Sequence, residues 1–104
     1  MEVNENIENI NDEIAELIFS TNYFSEQMRY RLLEKYEEGY TGWNDYDNST
    51  IDNYANQMYK NCMTAIGVVK TENIDQDKEL LKKELIDMAN YAMFIYDHID
   101  RLEE

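Results

Sequence analysis

Two groups of residues in this chain have the types and spacing to do chemistry. The first is Glu84-Leu85-Ile86-Asp87. On a helix, positions three and four apart share a side, so Glu84, Asp87, Tyr91 and His98 form a strip along one edge of an apolar stripe. Carboxylates at such an edge lose part of their hydration. They converge readily on Mg²⁺, a hard cation that takes oxygen ligands and keeps several waters. Glu84 and Asp87 are therefore the candidate metal ligands, and Mg²⁺ the candidate cofactor. With Lys82 and Lys83 beside it, the same pair also reads as a solvated charge cluster.

The second group is Gly39-Tyr40-Thr41-Gly42-Trp43-Asn44-Asp45. An indole set among small residues stacks on a nucleobase, while Asn44 and Asp45 offer hydrogen bonds to base edges or sugar hydroxyls. The alternative is an apolar lid in which Tyr40 and Trp43 plug the open end of a helix bundle. Two single residues carry less. His98 has Phe94, Ile95, Arg101 and Leu102 one turn away and no acid to orient its ring, so it reads as a polar edge residue. Cys62 falls on an apolar stripe with no histidine near in sequence and reads as a small core residue.

Helices must position these groups. Ile7, Ile10, Ile14, Leu17 and Ile18 recur at three- and four-residue spacing over about 5–20. Phe24, Met28, Leu32 and Tyr36 continue over about 24–38, with Asn22 and Ser25 as candidate caps and Gly39 as the stop. Whether these are one bent helix or two is open at this level. A connection of turn formers over 39–50 leads to a helix over about 51–66. Its buried stripe would be Ile51, Tyr54, Ala55, Met58, Cys62, Ala65 and Ile66, with Ser49 or Thr50 as cap and Gly67 as terminator. After a polar linker, 70–77, the last helix spans about 78–102 on Leu81, Leu85, Met88, Ala92, Ile95, Ile99 and Leu102. Ile86 and Met93 project on its opposite side. A helix apolar nearly all round is covered on both sides, which predicts a bundle centre or a contact between copies. The expectation is a single all-α domain of about four helices, assembled as a homo-oligomer.

Composition narrows the function classes. The chain has 104 residues, 23 acids against 9 Lys and Arg, and a net charge of −14. That is one domain of modest core. Nine scattered cations make no footprint for nucleic acid or anionic lipid. The lone cysteine leaves no internal disulfide, so a reducing, cytoplasmic setting is expected. The acidic N-terminus lacks signal-peptide character, and no run reaches the roughly 20 apolar residues that span a bilayer. High charge with low hydropathy is also the mark of disorder, but 43% hydrophobic and 12% aromatic residues, arranged at helical period, argue for a fold.

Taken together, Gly42-Trp43-Asn44-Asp45, a helix ending Ala65-Ile66, and Glu84-Leu-Ile-Asp87 resemble the all-α nucleoside triphosphate pyrophosphatases of the MazG type. More closely, the chain resembles small phage proteins with a Gly-Tyr-x-Gly-Trp loop and an Asp-x-Ala-Asn-Tyr-Ala-Met helix, which here reads Asp87-Met88-Ala89-Asn90-Tyr91-Ala92-Met93. The resemblance covers about residues 28–100. It implies Mg²⁺-dependent hydrolysis of nucleoside triphosphates, with a Glu-x-x-Glu pair on one helix and a Glu-x-x-Asp pair on the next, in dimers or tetramers. One departure from the family is decisive. The first pair should fall near Gln57, Met58 and Asn61, yet after Asp52 that helix contains no acid. Amides are poor Mg²⁺ ligands beside carboxylates, and Glu34-x-x-Glu37 lies on the wrong helix.

The reading that follows is a nucleotide pocket without its hydrolytic machinery. It would sequester a nucleotide or a nucleotide-derived signalling molecule, as a phage counter-defence protein would, through Tyr40, Trp43, Asn44, Asp45, Gln57, Asn61, Glu84, Asp87 and Tyr91. Lys60, standing where the acid cluster is expected, would meet a phosphate, with Lys35 or Arg31 assisting against the acidic field. Two alternatives stay open. One is a Mg²⁺-dependent pyrophosphohydrolase that recruits another acid such as Asp45 or Asp97. The other is an acidic inhibitor that mimics DNA in a basic nuclease channel.

Overall fold

The computed structural model describes residues 2–43, 51–71 and 74–102, with side chains described over 11–43, 51–71 and 74–101. It is all-helical. The described residues form α1 (Glu2–Glu37), α2 (Ile51–Lys70) and α3 (Lys78–Leu102), three helices where about four were expected. The difference lies in α1, which runs unbroken through Asn22 and Ser25. No glycine or proline occurs before Gly39, so nothing in that stretch forces a stop, and a polar residue in mid-helix need not act as a cap.

At the end of α1 the sequence and the structure agree. Gly39 adopts a φ of 101°. Its N–H donates to Tyr36 O at 3.0 Å, and the Tyr40 N–H donates to Lys35 O at 3.0 Å. This pair of bonds is the Schellman arrangement, which satisfies two carbonyls of the last turn and needs a residue in the left-handed region at its centre. The Lys35 ammonium then lies 4.7 Å from the Tyr40 ring centroid, fastening the start of the loop to the helix.

α2 and α3 form an antiparallel hairpin. Its core is Tyr54, Ala65 and Val68 from α2 against Phe94 from α3, with Asn90 and His98 buried among them. The expected stripe on α2 is present, although Ile66 is 40% exposed. The helix passes through Gly67 and ends at Lys70. A Cβ at Gly67 would meet nothing within 4 Å, so this glycine marks neither a stop nor a close approach. The Thr71 N–H closes α2 on Gly67 O at 3.1 Å, and Asp77 O accepts the first bond of α3 from the Leu81 N–H at 2.9 Å, placing Asp77 at the N-cap.

α3 is the centre of the molecule, touched by α2 on one side and by α1 on the other, while α1 and α2 do not pack together. That is how its second apolar side is used. Ile86 is half-buried and Met93 is 38% exposed. Only the second half of α1 packs. Ser25, Met28, Arg31, Leu32 and Lys35 are half-buried, whereas residues 11–24 are exposed throughout. The expected buried stripe of the first stretch thus has no partner within the chain at Ile14, Leu17 and Ile18. The radius of gyration is 17.9 Å, against roughly 13 Å for a compact chain of this length.

Candidate functional site

The second half of α1, the loop after it and the hairpin enclose a cavity of about 730 Å³, within the usual range for small-molecule sites. Beside the aliphatic Leu32, Leu33 and Met93, three kinds of side chain dominate its lining. Tyr40, Trp43, Tyr54, Tyr91 and Phe94 are aromatic; Asn53, Gln57, Asn61 and Asn90 are amides; Arg31, Lys35 and Asp87 carry charge.

Helical spacing produces this sorting. Asn53, Gln57 and Asn61 succeed one another every four residues on α2, so a single face of amides points into the cavity. On α3, Asp87, Asn90, Tyr91 and Phe94 recur at three- and four-residue steps and form the opposite wall. Trp43, Tyr54, Tyr91 and Phe94 make a connected cluster. Trp43 stacks on Phe94 with centroids 5.3 Å apart and planes 18° from parallel. Tyr54 meets Phe94 at 5.2 Å and Tyr91 at 6.0 Å. The Tyr54 hydroxyl donates to Trp43 O at 3.2 Å, so the loop backbone is held by the hairpin. Trp43 thus packs on the hairpin in the way the lid reading expects. One ring face closes the end of the hairpin, and the residue remains 41% exposed.

Two amide atoms stand out. Asn90 is 4% exposed and donates through Nδ2 to Met28 O at 3.3 Å, tying α3 to α1. Its Oδ1 is buried with no hydrogen-bond partner, as is Nδ2 of Asn61. Such orphaned atoms cost about 1–3 kcal/mol each. Both residues line the cavity, but these two atoms are themselves covered, so they are a local cost of the packing and not a surface that a ligand meets.

The charged edge is organised by Arg31. Its Nε lies 2.9 Å from Asp87 Oδ1 and Nη2 3.5 Å from Oδ2, while Nη1 bonds Glu34. The Arg31 and Asp87 side chains are only 12% and 17% exposed. Burial works against the charge of Arg31, but the hydrogen bond and the field of Asp87 outweigh it, and its pKa is raised. One turn earlier, burial first and the Asp87 charge second push the Glu84 carboxyl up. Tyr91 is raised by burial, then by Asp87.

The structure brings together Tyr40, Trp43, Gln57, Asn61, Asp87 and Tyr91 of the expected site residues. It leaves Lys60 exposed and off the cavity wall, because Lys60 points outward beside the amide face rather than along it. Glu84 likewise lies off the wall. Asn44 and Asp45 lie outside the described residues. The Arg31 guanidinium bonds Asp87, so a Mg²⁺ ion on Glu84 and Asp87 would share the Asp87 carboxylate with it. Among the described residues no group of three acid, histidine or cysteine side chains comes together. His98 is not an edge residue: it is 5% exposed, donates from Nδ1 to Phe94 O at 2.8 Å, and meets Tyr54 edge-on at 5.4 Å. Cys62 is free and half-buried.

Sequence reasoning missed Asn53, Tyr54, Asn90 and Phe94 as lining residues. The four-residue amide repeat on α2 was the available signal for Asn53; Asn90 and Phe94 are reached only once α1 is seen to cross α3. No protein-family model, curated protein or solved structure matches the chain.

Proposed function

We propose that this protein binds a nucleotide, or a nucleotide-derived signalling molecule, in the cavity between α1, the Trp43 loop and the α2–α3 hairpin, and holds it without hydrolysing it. The observation that carries this reading is the cavity's composition: a connected aromatic cluster facing a wall of amides from Asn53, Gln57 and Asn61. A nucleobase presents a π face together with a donor and acceptor edge, and those are the features such walls complement. Arg31 and Lys35 at the cavity edge supply the cations for a phosphate. With Arg31 largely neutralised by Asp87, a base-dominated mode of binding is favoured over a phosphate-dominated one. Retention without turnover fits the absence of acids on α2 after Asp52, because activation of water beside a triphosphate needs a cluster of carboxylates around its metal. A sequestering protein of this kind works by titrating its ligand, as a homo-oligomer with several such sites.

Isothermal titration against nucleoside mono-, di- and triphosphates and cyclic and ADP-ribose-type nucleotides tests this. Trp43, the one tryptophan, serves as a fluorescence reporter in parallel. Saturable binding of one member with quenching of Trp43, and recovery of that member unchanged, is the expected result. No binding across the panel would overturn the proposal. Steady release of pyrophosphate would replace it with the hydrolase reading.

A further inference from the structure

A single stripe runs the length of α1, and the molecule uses only half of it. Met28, Arg31, Leu32 and Lys35 on this stripe face α3. Stepping back along the same face by three and four residues gives Phe24, Thr21, Leu17 and Ile14, and beside them Ile18. Ile14, Leu17, Ile18 and Phe24 are 41–60% exposed. Residues 11–24, about four turns of helix, are exposed throughout.

Spacing and charge identify the occupant. Residues 14, 17, 21, 24 and 28 alternate steps of three and four, the repeat of a seam that meets another helix of the same kind. The spacing extends back through Ile10 and Ile7. In a chain of charge −14, a copy would be repelled unless the seam's flanks were clear of acids. They nearly are: the flanking positions hold Asn11, Glu13, Ile18, Ser20, Ser25 and Gln27. Asp12, Glu16 and Glu26 fall on the opposite face of the helix. A partner of different charge would be selected through charged flanks, and these flanks are almost neutral.

We infer that the stripe from Ile14 to Phe24 packs against the same stripe of a second copy of this chain, making α1 the interface between subunits. The inference rests on the assembly part of the proposed function and names its surface. Ligand binding stands or falls separately, in the titrations above.

Sedimentation equilibrium of the full chain tests it. The wild type is expected at a dimer mass or a higher multiple at micromolar concentration. Leu17→Glu should fall to the 12.5 kDa monomer, and Phe19→Ser, on the outer side of α1, should leave the wild-type mass unchanged. Because Leu17→Glu removes the support of a helix half that is marginal alone, hydrogen exchange on the wild type provides a second readout. Amides of residues 11–24 should be protected at high concentration and lose protection on dilution, while the α2–α3 hairpin keeps its own. A wild type that is monomeric at 100-fold higher concentration, or an oligomer that survives Leu17→Glu with residues 11–24 unprotected, overturns the inference.

Discussion

Arg31 and Asp87 make the least replaceable contact at the residue scale. Removing one partner of a shielded pair leaves the other charge without compensation, which costs about 3 kcal/mol or more. Arg31→Ala should therefore lower stability by about that amount in chemical denaturation, with the α1–α3 crossing loosened first. Glu84 has the opposite character. Its carboxyl is raised by burial and by Asp87, so the folded chain binds its proton more tightly than the unfolded chain does. This stabilisation is present in full below the ordinary carboxylate range and is lost as pH rises through the raised folded value. At neutral pH the ionised Glu84 is thus a burden. Glu84→Gln should raise the melting temperature at pH 7 and reduce the fall in stability just above pH 4.5, measured as the difference between variant and wild type across pH. In the cavity, Asn61→Ala removes one amide of the α2 wall. It should weaken ligand binding about fivefold, one hydrogen bond's worth, with no loss of melting temperature, whereas Trp43→Ala should weaken binding by about ten- to a hundredfold.

Among the elements, the loop matters through its fastening. Gly39 sits at φ 101° with nothing within 4 Å of a Cβ placed there, so Gly39→Ala pays only the conformational penalty of about 1–2 kcal/mol. The expected outcome is a corresponding loss of stability together with weaker ligand binding, since Tyr40 and Trp43 follow directly on that turn; urea denaturation and the titrations check the two parts. The end of α1 was legible because Gly39 marks it chemically. The unbroken course of α1 was not, because Asn22 and Ser25 are residue types that serve as caps only where the backbone happens to turn. Gly67 misled in the opposite sense, since a glycine tolerated inside a packed helix looks the same in sequence as one that ends it.

For the whole molecule, the dominant facts are the charge of −14 and the uneven use of α1. Acids spread over helix faces repel one another at low ionic strength, and salt shortens that reach to about 8–10 Å near physiological concentrations. Raising sodium chloride from about 10 mM to 500 mM should therefore raise the melting temperature, by scanning calorimetry, despite the screening of Arg31–Asp87. That pair is shielded, so it loses less than the surface repulsion does.

Periodicity and composition by themselves determined the class of fold, the three- and four-residue stripes, the bounds of α3 and the aromatic loop, because each depends on local spacing or on backbone chemistry near one residue. The resemblance drew attention to Gln57, Met58, Asn61, Glu84 and Asp87, of which Gln57, Asn61 and Asp87 line the cavity. Only the tertiary structure decided what faces them. It paired Asp87 with Arg31 from a helix 56 residues earlier, set Asn90 under Met28 O, turned Lys60 outward and buried His98 against Tyr54. These outcomes follow from the angle and place at which α1 crosses α3, which no local pattern encodes. The same crossing leaves the first half of α1 without a partner in its own chain.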